Sequence, residues 1–210
     1  MDSQGWDDRY AASELVWGIA PNQWVVRELT GSTPGRALDL ATGEGRNAIW
    51  LATRGWEVTG LDFSAVALER AERLTAELPD EVADRLTWRH GDARTQEGPA
   101  GGYDLVLIAY LQLPAADRRA ALHRAAEALA PGGTLLVVGH DLTNLTEGVG
   151  GPQDPAVLFT PEDVLADLAE YGLHTVRAER VHRTAGEPGH GGGLTSVAID
   201  ALVRVERGAE

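Results

Sequence analysis

Residues 36–64 read RALDLATGEGRNAIWLATRGWEVTGLDFS, and the order of apolar runs, glycines and acids in this stretch decides the fold. Arg36–Ala41 is a short apolar run of the kind that forms a strand buried on both faces of a parallel sheet. Gly43 and Gly45 supply a permissive turn, and Ala48–Ala52 continues with helical periodicity. Trp56–Leu61 is a second strand that ends on Asp62. This order brings a helix N-terminus, bare backbone and two carboxylates, Asp39 and Asp62, to one carboxyl edge of a sheet, where α/β folds bind nucleotide-type ligands.

Outward from this stretch, strands and helices keep alternating. A helix is expected from about Ser64 to Glu77, strands over Leu86–His90 and Asp104–Ala109, an alanine-rich helix over Ala115–Leu129, and a tight turn at Ala130-Pro131-Gly132-Gly133 into a strand Thr134–Gly139. Alternation of this kind means a parallel sheet with helices on both faces. His140–Leu158 is a long polar loop with glycines and prolines, which marks it as a lid candidate. Thr160 caps a helix with Pro161 at its first position, ending near Tyr171-Gly172. Leu173–Val181 and Leu194–Val205 then alternate like two antiparallel strands around a glycine-rich loop. Before all of this, Asp2–Thr30 reads as an amphipathic helical lead-in, broken by Gly31–Gly35. Residues 1–35 are thus expected to form a helical lead-in or lid, and residues 36–210 the ligand-binding part of a single domain.

Composition removes several classes of function. The 210 residues carry 18 Lys plus Arg against 32 Asp plus Glu, a formal charge of −14, and such a field repels polyanions in the absence of a basic patch. Nucleic acid and anionic membranes are therefore not expected as partners. No cysteine is present, which excludes disulfides, thiolate metal sites and a cysteine nucleophile. His190, within Gly-His-Gly-Gly-Gly, is a lone ligand on a loop, so no metal is expected. The N-terminus is acidic without an apolar core, and no run approaches the roughly 18 apolar residues of a membrane span. A cytoplasmic protein is expected, with monomer and homodimer both compatible.

The residues alone leave two ligands open. Gly43-Glu44-Gly45-Arg46-Asn47-Ala48 formally fits the dinucleotide fingerprint with alanine last, and Asp62 lies at a suitable distance for a ribose hydroxyl. Against a pyrophosphate stand Glu44, an anion between the glycines, and Asp39, an acid before the turn that can accept from a ligand ammonium.

With these motifs set out, the chain resembles the class I S-adenosylmethionine-dependent methyltransferases from Arg36 to its C-terminus. Asp39, Ala41, Gly43 and Gly45 match that family's acid-x-Gly-x-Gly motif, with alanine at the first glycine. The resemblance implies that Asp62 binds both ribose hydroxyls and that Phe63 lies against adenine. It further implies that Gly91, Asp92 and Ala93 contact the adenine edge, and that Ala109 and Tyr110 supply carbonyls after the fourth strand. Arg9 and Tyr10, in a Trp-x-x-Arg-Tyr segment, resemble the small-molecule branch (tellurite-resistance-like or methyltransferase domain 25-like), where such residues close over the donor's carboxylate. The implied fold is a Rossmann-like three-layer α/β sandwich with a seven-stranded, mostly parallel sheet whose last strand is antiparallel. The implied cofactor is S-adenosyl-L-methionine, with S-adenosyl-L-homocysteine as product.

A sulfonium donor is already activated, so the protein's task is mainly to align two reactants. His140, after the fifth strand, is placed to take a proton, with Tyr110 beside the reacting atoms. Tyr10, Trp17 and Trp24 offer aromatic faces near a cation, and Asp141 adds a charge on the acceptor side. The segment Ala109–Pro114 lacks the Asn/Asp-Pro-Pro-aromatic motif resembling enzymes that methylate nucleobase or glutamine nitrogens. A small-molecule O, N, S or chalcogen acceptor is therefore expected. The alternatives are an NAD-dependent oxidoreductase and a non-catalytic sensor or partner domain that binds the donor.

Overall fold

The computed structural model describes residues 5–7, 10, 19–95, 101–185 and 196–209. Seven strands form one sheet: β1 (Arg36–Leu40), β2 (Glu57–Asp62), β3 (Leu86–His90), β4 (Tyr103–Ala109), β5 (Leu129–His140), β6 (His174–Ala185) and β7 (Ser196–Glu206). Their order is β3-β2-β1-β4-β5-β7-β6. The first five run parallel, and β7 lies antiparallel between β5 and β6. The chain winds from β1 outward to β2 on one side and returns to β4 on the other, so a crevice opens at the carboxyl ends of these strands.

Helices cover both faces because the central strands bury both. On β4, Leu105 and Leu107 face α1 (Gln23–Leu29) and α2 (Arg46–Thr53), while Val106 and Ile108 face α5 (Ala115–Ala128) and α7 (Pro161–Asp167). Each fully buried leucine contributes about 2 kcal/mol of apolar transfer. Two further helices, α3 (Ala65–Thr75) and the short α4 (Asp80–Ala83), join β2 to β3. This is the expected Rossmann-like three-layer sandwich, with its one antiparallel strand last in sequence. Among the described residues no helix is long and apolar enough to cross a membrane.

Three local readings change. The tight turn expected at Ala130–Gly133 is a bulge within β5: Tyr103 pairs with Leu129 and Leu105 with Thr134, leaving residues 130–133 opposite Asp104. Gly132, at φ +77, lets the chain make that detour. The helix from Pro161 closes at Asp167, and a 3-10 turn, Ala169–Tyr171, carries the chain on to Gly172. Its start is as expected, with Thr160 and Asp163 exchanging reciprocal side-chain-to-backbone hydrogen bonds of 3.2 and 2.8 Å. The 140–158 loop is also more ordered than its composition implies. It contains α6 (Asn144–Glu147) and a 3-10 turn, Pro155–Val157, and Asn144 ties it to β7 by accepting from Ile199 N at 2.8 Å.

Trp88 on β3 explains two glycines. A Cβ on Gly60 would lie 2.3 Å from its ring, and one on Gly45 2.5 Å. The ring therefore packs across β2 onto the turn after β1, and the indole nitrogen donates to Thr75 of α3 at 3.1 Å. Gly60→Ala is expected to lower stability by about 2 kcal/mol through overpacking, read as a lower urea midpoint at unchanged slope. An unchanged midpoint would mean that the indole yields freely.

Candidate functional site

Adjacent strands deliver the two acids. Asp39 pairs in register with Gly60 on β2 and is 1% exposed, and its carboxylate accepts from Thr42 Oγ1 at 2.7 Å. Burial pushes its pKa up to about 7, the Thr42 bond pulling back and nearby Asp62 pushing further. Asp62 accepts from Gly43 N at 2.8 Å on one oxygen and from Ser64 N at 2.9 Å on the other. Its pKa is also raised, by burial, against the pull of these N–H groups. Each Asp62 oxygen keeps a lone pair for a ligand hydroxyl.

The turn between the acids is shaped at three positions. Ala41, which stands where a glycine was expected, holds φ +59, a left-handed conformation that costs a non-glycine residue about 1–2 kcal/mol. Gly43 is at φ +58, and a Cβ there would lie 2.9 Å from the Tyr10 hydroxyl. Glu44 is buried and paired with Arg70 of α3 at 2.8 Å, so its charge is compensated, and the case for a cationic ligand rests on Asp39 and Asp62. Three residues near the N-terminus lie at this edge: Tyr10 is buried, Trp6 packs on it at 5.7 Å between ring centroids, and Asp7 accepts from the Ser64 hydroxyl and from Val66 N at the start of α3.

Along the crevice, Gly91 N donates to Asp62 O at 2.9 Å, and the Phe63 carbonyl lies 3.0 Å from His90 Nε2. Asp92 is gripped by Arg94, which reaches both of its oxygens at 2.6–3.0 Å and also Asp117 at 3.0 Å. The Arg94 hydrogen bonds hold the Asp92 pKa below the usual carboxylate range. Ala93 beside it is buried.

On the far side of the crevice the centre is Asp200 of β7, fully buried. One of its oxygens accepts from Trp24 Nε1 at 3.0 Å, the Tyr110 hydroxyl at 2.8 Å and Arg183 Nε at 2.9 Å. Tyr110 follows Ala109 at φ +61, and burial with the neighbouring Asp200 charge raises its pKa. His140 meets the Tyr110 ring edge-on at 5.0 Å, and burial lowers its pKa, so it is neutral at pH 7. Asp141 is turned into its own loop, accepting from Thr143 N at 2.8 Å and pairing with Arg180 at 3.2 Å.

The expected residues thus fall into three groups: Tyr10, Ala41, Gly43 and the buried acids on one side, Phe63, Gly91, Asp92 and Ala93 along the crevice, and Trp24, Tyr110 and His140 around Asp200 on the far side, with Asp141 turned into its own loop. The space beside Gly45 belongs to Trp88. Arg9, Trp17 and His190 lie outside the described residues. Asp200, Arg183 and the half-buried Arg46 were not singled out from the sequence. The signal for Asp200 was an acid in the middle of the core strand Ser196–Glu206, SVAIDALVRVE. An open cavity of about 680 Å³ lies at the opposite, amino edge, lined by Gly35, Trp56, Asp104 and Arg204 among others. It contains none of these groups, so the chemistry is placed at the carboxyl edge.

Residues 37–133 match a family described as a methyltransferase domain. "Probable thiol methyltransferase 2" of Arabidopsis thaliana is 30% identical over 182 residues, covering 84% of this chain and 78% of its own. An uncharacterized methyltransferase of Mycobacterium tuberculosis is 36% identical over 112 residues, covering 53% of this chain and 54% of its own. The match thus spans about half the length of that relative. Among solved structures, the glycopeptide N-methyltransferase MtfA complexed with S-adenosyl-L-methionine has a TM-score of 0.64 at 22% identity, with 89% of this chain and 95% of that one covered. At that identity the likeness is one of fold.

The raised Asp39 pKa has a signed consequence. Between the unfolded carboxyl range near pH 4 and about 7, the unfolded chain releases this proton first, so the Asp39 contribution makes stability fall as pH rises and level off above that. Urea titrations across pH 4–8 are expected to show this slope, at most about 1.4 kcal/mol per pH unit, reduced in Asp39→Asn.

Proposed function

Because the chain belongs to the class I S-adenosylmethionine-dependent methyltransferases, we propose that it moves a methyl group from S-adenosyl-L-methionine by in-line displacement to a small-molecule nucleophile, at O, N, S or a heavier chalcogen. The observation that carries this reading is the pair of buried acids, Asp39 and Asp62, at the carboxyl ends of adjacent strands on either side of the Gly43 turn. Two buried carboxylates repel a pyrophosphate and favour a ligand that presents an ammonium and hydroxyls.

The residues fit that donor. Asp39 takes the ammonium, and a cation arriving beside a carboxyl with pKa about 7 drives it to the ionised form. Asp62, held by Gly43 N and Ser64 N, offers its remaining lone pairs to the ribose hydroxyls. Phe63, Gly91, Asp92 and Ala93 form the adenine end, where the adenine amino group shares Asp92 with Arg94. Arg9 and Tyr10 close over the amino-acid end, with Ala41, Gly45 and Ala109 lining the backbone. When bound, the donor supplies an activated methyl group: the acceptor's electron pair bonds to the methyl carbon, and the carbon–sulfur pair stays on sulfur.

This chain's own work is alignment and proton removal. Tyr110 and His140 face the acceptor, and Trp17 and Trp24 shape its side of the pocket, whereas Asp141 is held in its own loop by Thr143 and Arg180. The lead-in, residues 1–35, acts as the cover, a role supported by Tyr10 over the glycine turn and by Asp7 at the start of α3. We assign it to the cytoplasm, and its net charge of −14 disfavours nucleic acid as the acceptor.

Calorimetry with S-adenosyl-L-homocysteine is expected to give micromolar binding, and NAD no heat. Asp39→Asn is expected to weaken S-adenosyl-L-homocysteine about 10- to 100-fold, the loss of a hydrogen bond to a charged group. Heat with NAD and none with S-adenosyl-L-homocysteine would sink the reading. Binding without transfer of labelled methyl to any member of a broad panel of thiols, alcohols, amines and chalcogen oxyanions would favour a sensor domain.

A further inference from the structure

Asp200 and His140 are directly opposed across the antiparallel β5–β7 pair, so their side chains stand on the same face of the sheet. His140 Nδ1 lies 3.5 Å from Asp200 Oδ1. Both atoms are enclosed, and neither has a hydrogen-bond partner. Leaving two such atoms unpaired carries an uncompensated desolvation cost at each, and one short approach satisfies both. Hydrogen bonds of catalytic groups are often this long before substrates arrive.

Everything around the pair restricts it to that contact. The other Asp200 oxygen takes three donors, from Trp24, Tyr110 and Arg183, which fixes the carboxylate plane. The imidazole is walled by the Tyr110 ring on one side and by the Gly151 backbone on another, where a Cβ would lie 2.8 Å from Nδ1. Gly151, at φ +75, is therefore confined to glycine by both its backbone and the ring. Nε2, at the other end of the ring, makes no hydrogen bond to a described residue. The charged groups that act on the ring are Asp200 from β7, which favours its protonation, and Arg183 from β6, which opposes it.

We propose that Asp200 is a positioning residue: it fixes the His140 imidazole with its proton on Nδ1, which leaves Nε2 as the base that receives a proton from the acceptor. The inference rests on the methyltransferase reading and narrows it, because Nε2 is useful only to a nucleophile that carries a proton when it binds, such as a thiol, an alcohol or a protonated chalcogen acid. As the acceptor's electron pair bonds to the methyl carbon, its bond to hydrogen breaks and that proton joins Nε2. The imidazolium so formed carries its charge against the Asp200 carboxylate, as a buried cation requires.

Nitrogen-15 NMR of the full chain without ligand tests this directly, with His140 assigned by sequential resonances. At pH 8 the neutral ring is expected to be predominantly the Nδ1–H tautomer. In Asp200→Asn that population is expected to fall below half and the apparent His140 pKa to drop, because a negative neighbour is lost. A wild-type ring protonated on Nε2, or a tautomer ratio unmoved in folded Asp200→Asn, overturns the proposal. Should that variant not fold, the wild-type spectrum decides. Calorimetry with S-adenosyl-L-homocysteine on the same sample separates the two readings. Normal heat with the Nε2–H tautomer removes only the role of Asp200, whereas no heat removes the methyltransferase reading and this inference with it.

Discussion

Two carboxylates are buried within one turn of each other at the carboxyl edge of the sheet, and the local structure is organised around keeping them there. Asp39 is held by a hydroxyl and sits at a pKa of about 7. Asp62 is held by two backbone N–H groups, one from the glycine turn and one from the residue that caps α3. The turn must therefore run as it does, with a left-handed Ala41 and a left-handed Gly43 between the acids. A ligand with positive and hydroxyl groups relieves this site, and a polyanion aggravates it.

The opposite side of the crevice is governed by the sheet's one reversed strand. Because β7 runs antiparallel beside β5, Asp200 lands across from His140 and within reach of Tyr110, Trp24 and Arg183, which belong to four other segments. One buried acid thus joins the lead-in helix, the ends of β4 and β5, and β6. Its charge is balanced by a neighbouring guanidinium, and burial keeps His140 neutral. A neutral imidazole next to a fixed carboxylate is the arrangement that general-base chemistry needs.

The glycines show how far one-dimensional reading goes. Gly43 and Gly45 were legible as a turn, and both have positive φ. That Gly45 and Gly60 also make room for the Trp88 ring was not legible, since Trp88 is 43 and 28 residues away and nothing in its own strand points there. Glu44 looked like an unpaired anion, yet Arg70, one strand and one helix later, neutralises it. The bulge at Ala130–Gly133 has the composition of a turn, and only its pairing with Tyr103 and Leu105 separates the two. Local chemistry names the conformations that a segment tolerates, and its neighbours choose among them.

By itself the sequence determined the features set by periodicity and short-range order: the alternation of strands and helices, the acid before the turn, the acid after the second strand, and the exclusion of thiol chemistry by the lack of cysteine. These are properties of residues within a few positions of one another, so hydrophobic pattern and backbone preference suffice to read them. The tertiary structure alone decided which distant groups share a low-dielectric space. Asp200 lies 60 residues from His140 and 176 from Trp24, and whether such groups pair, repel or shift each other's protons depends on distances that only the folded sheet sets.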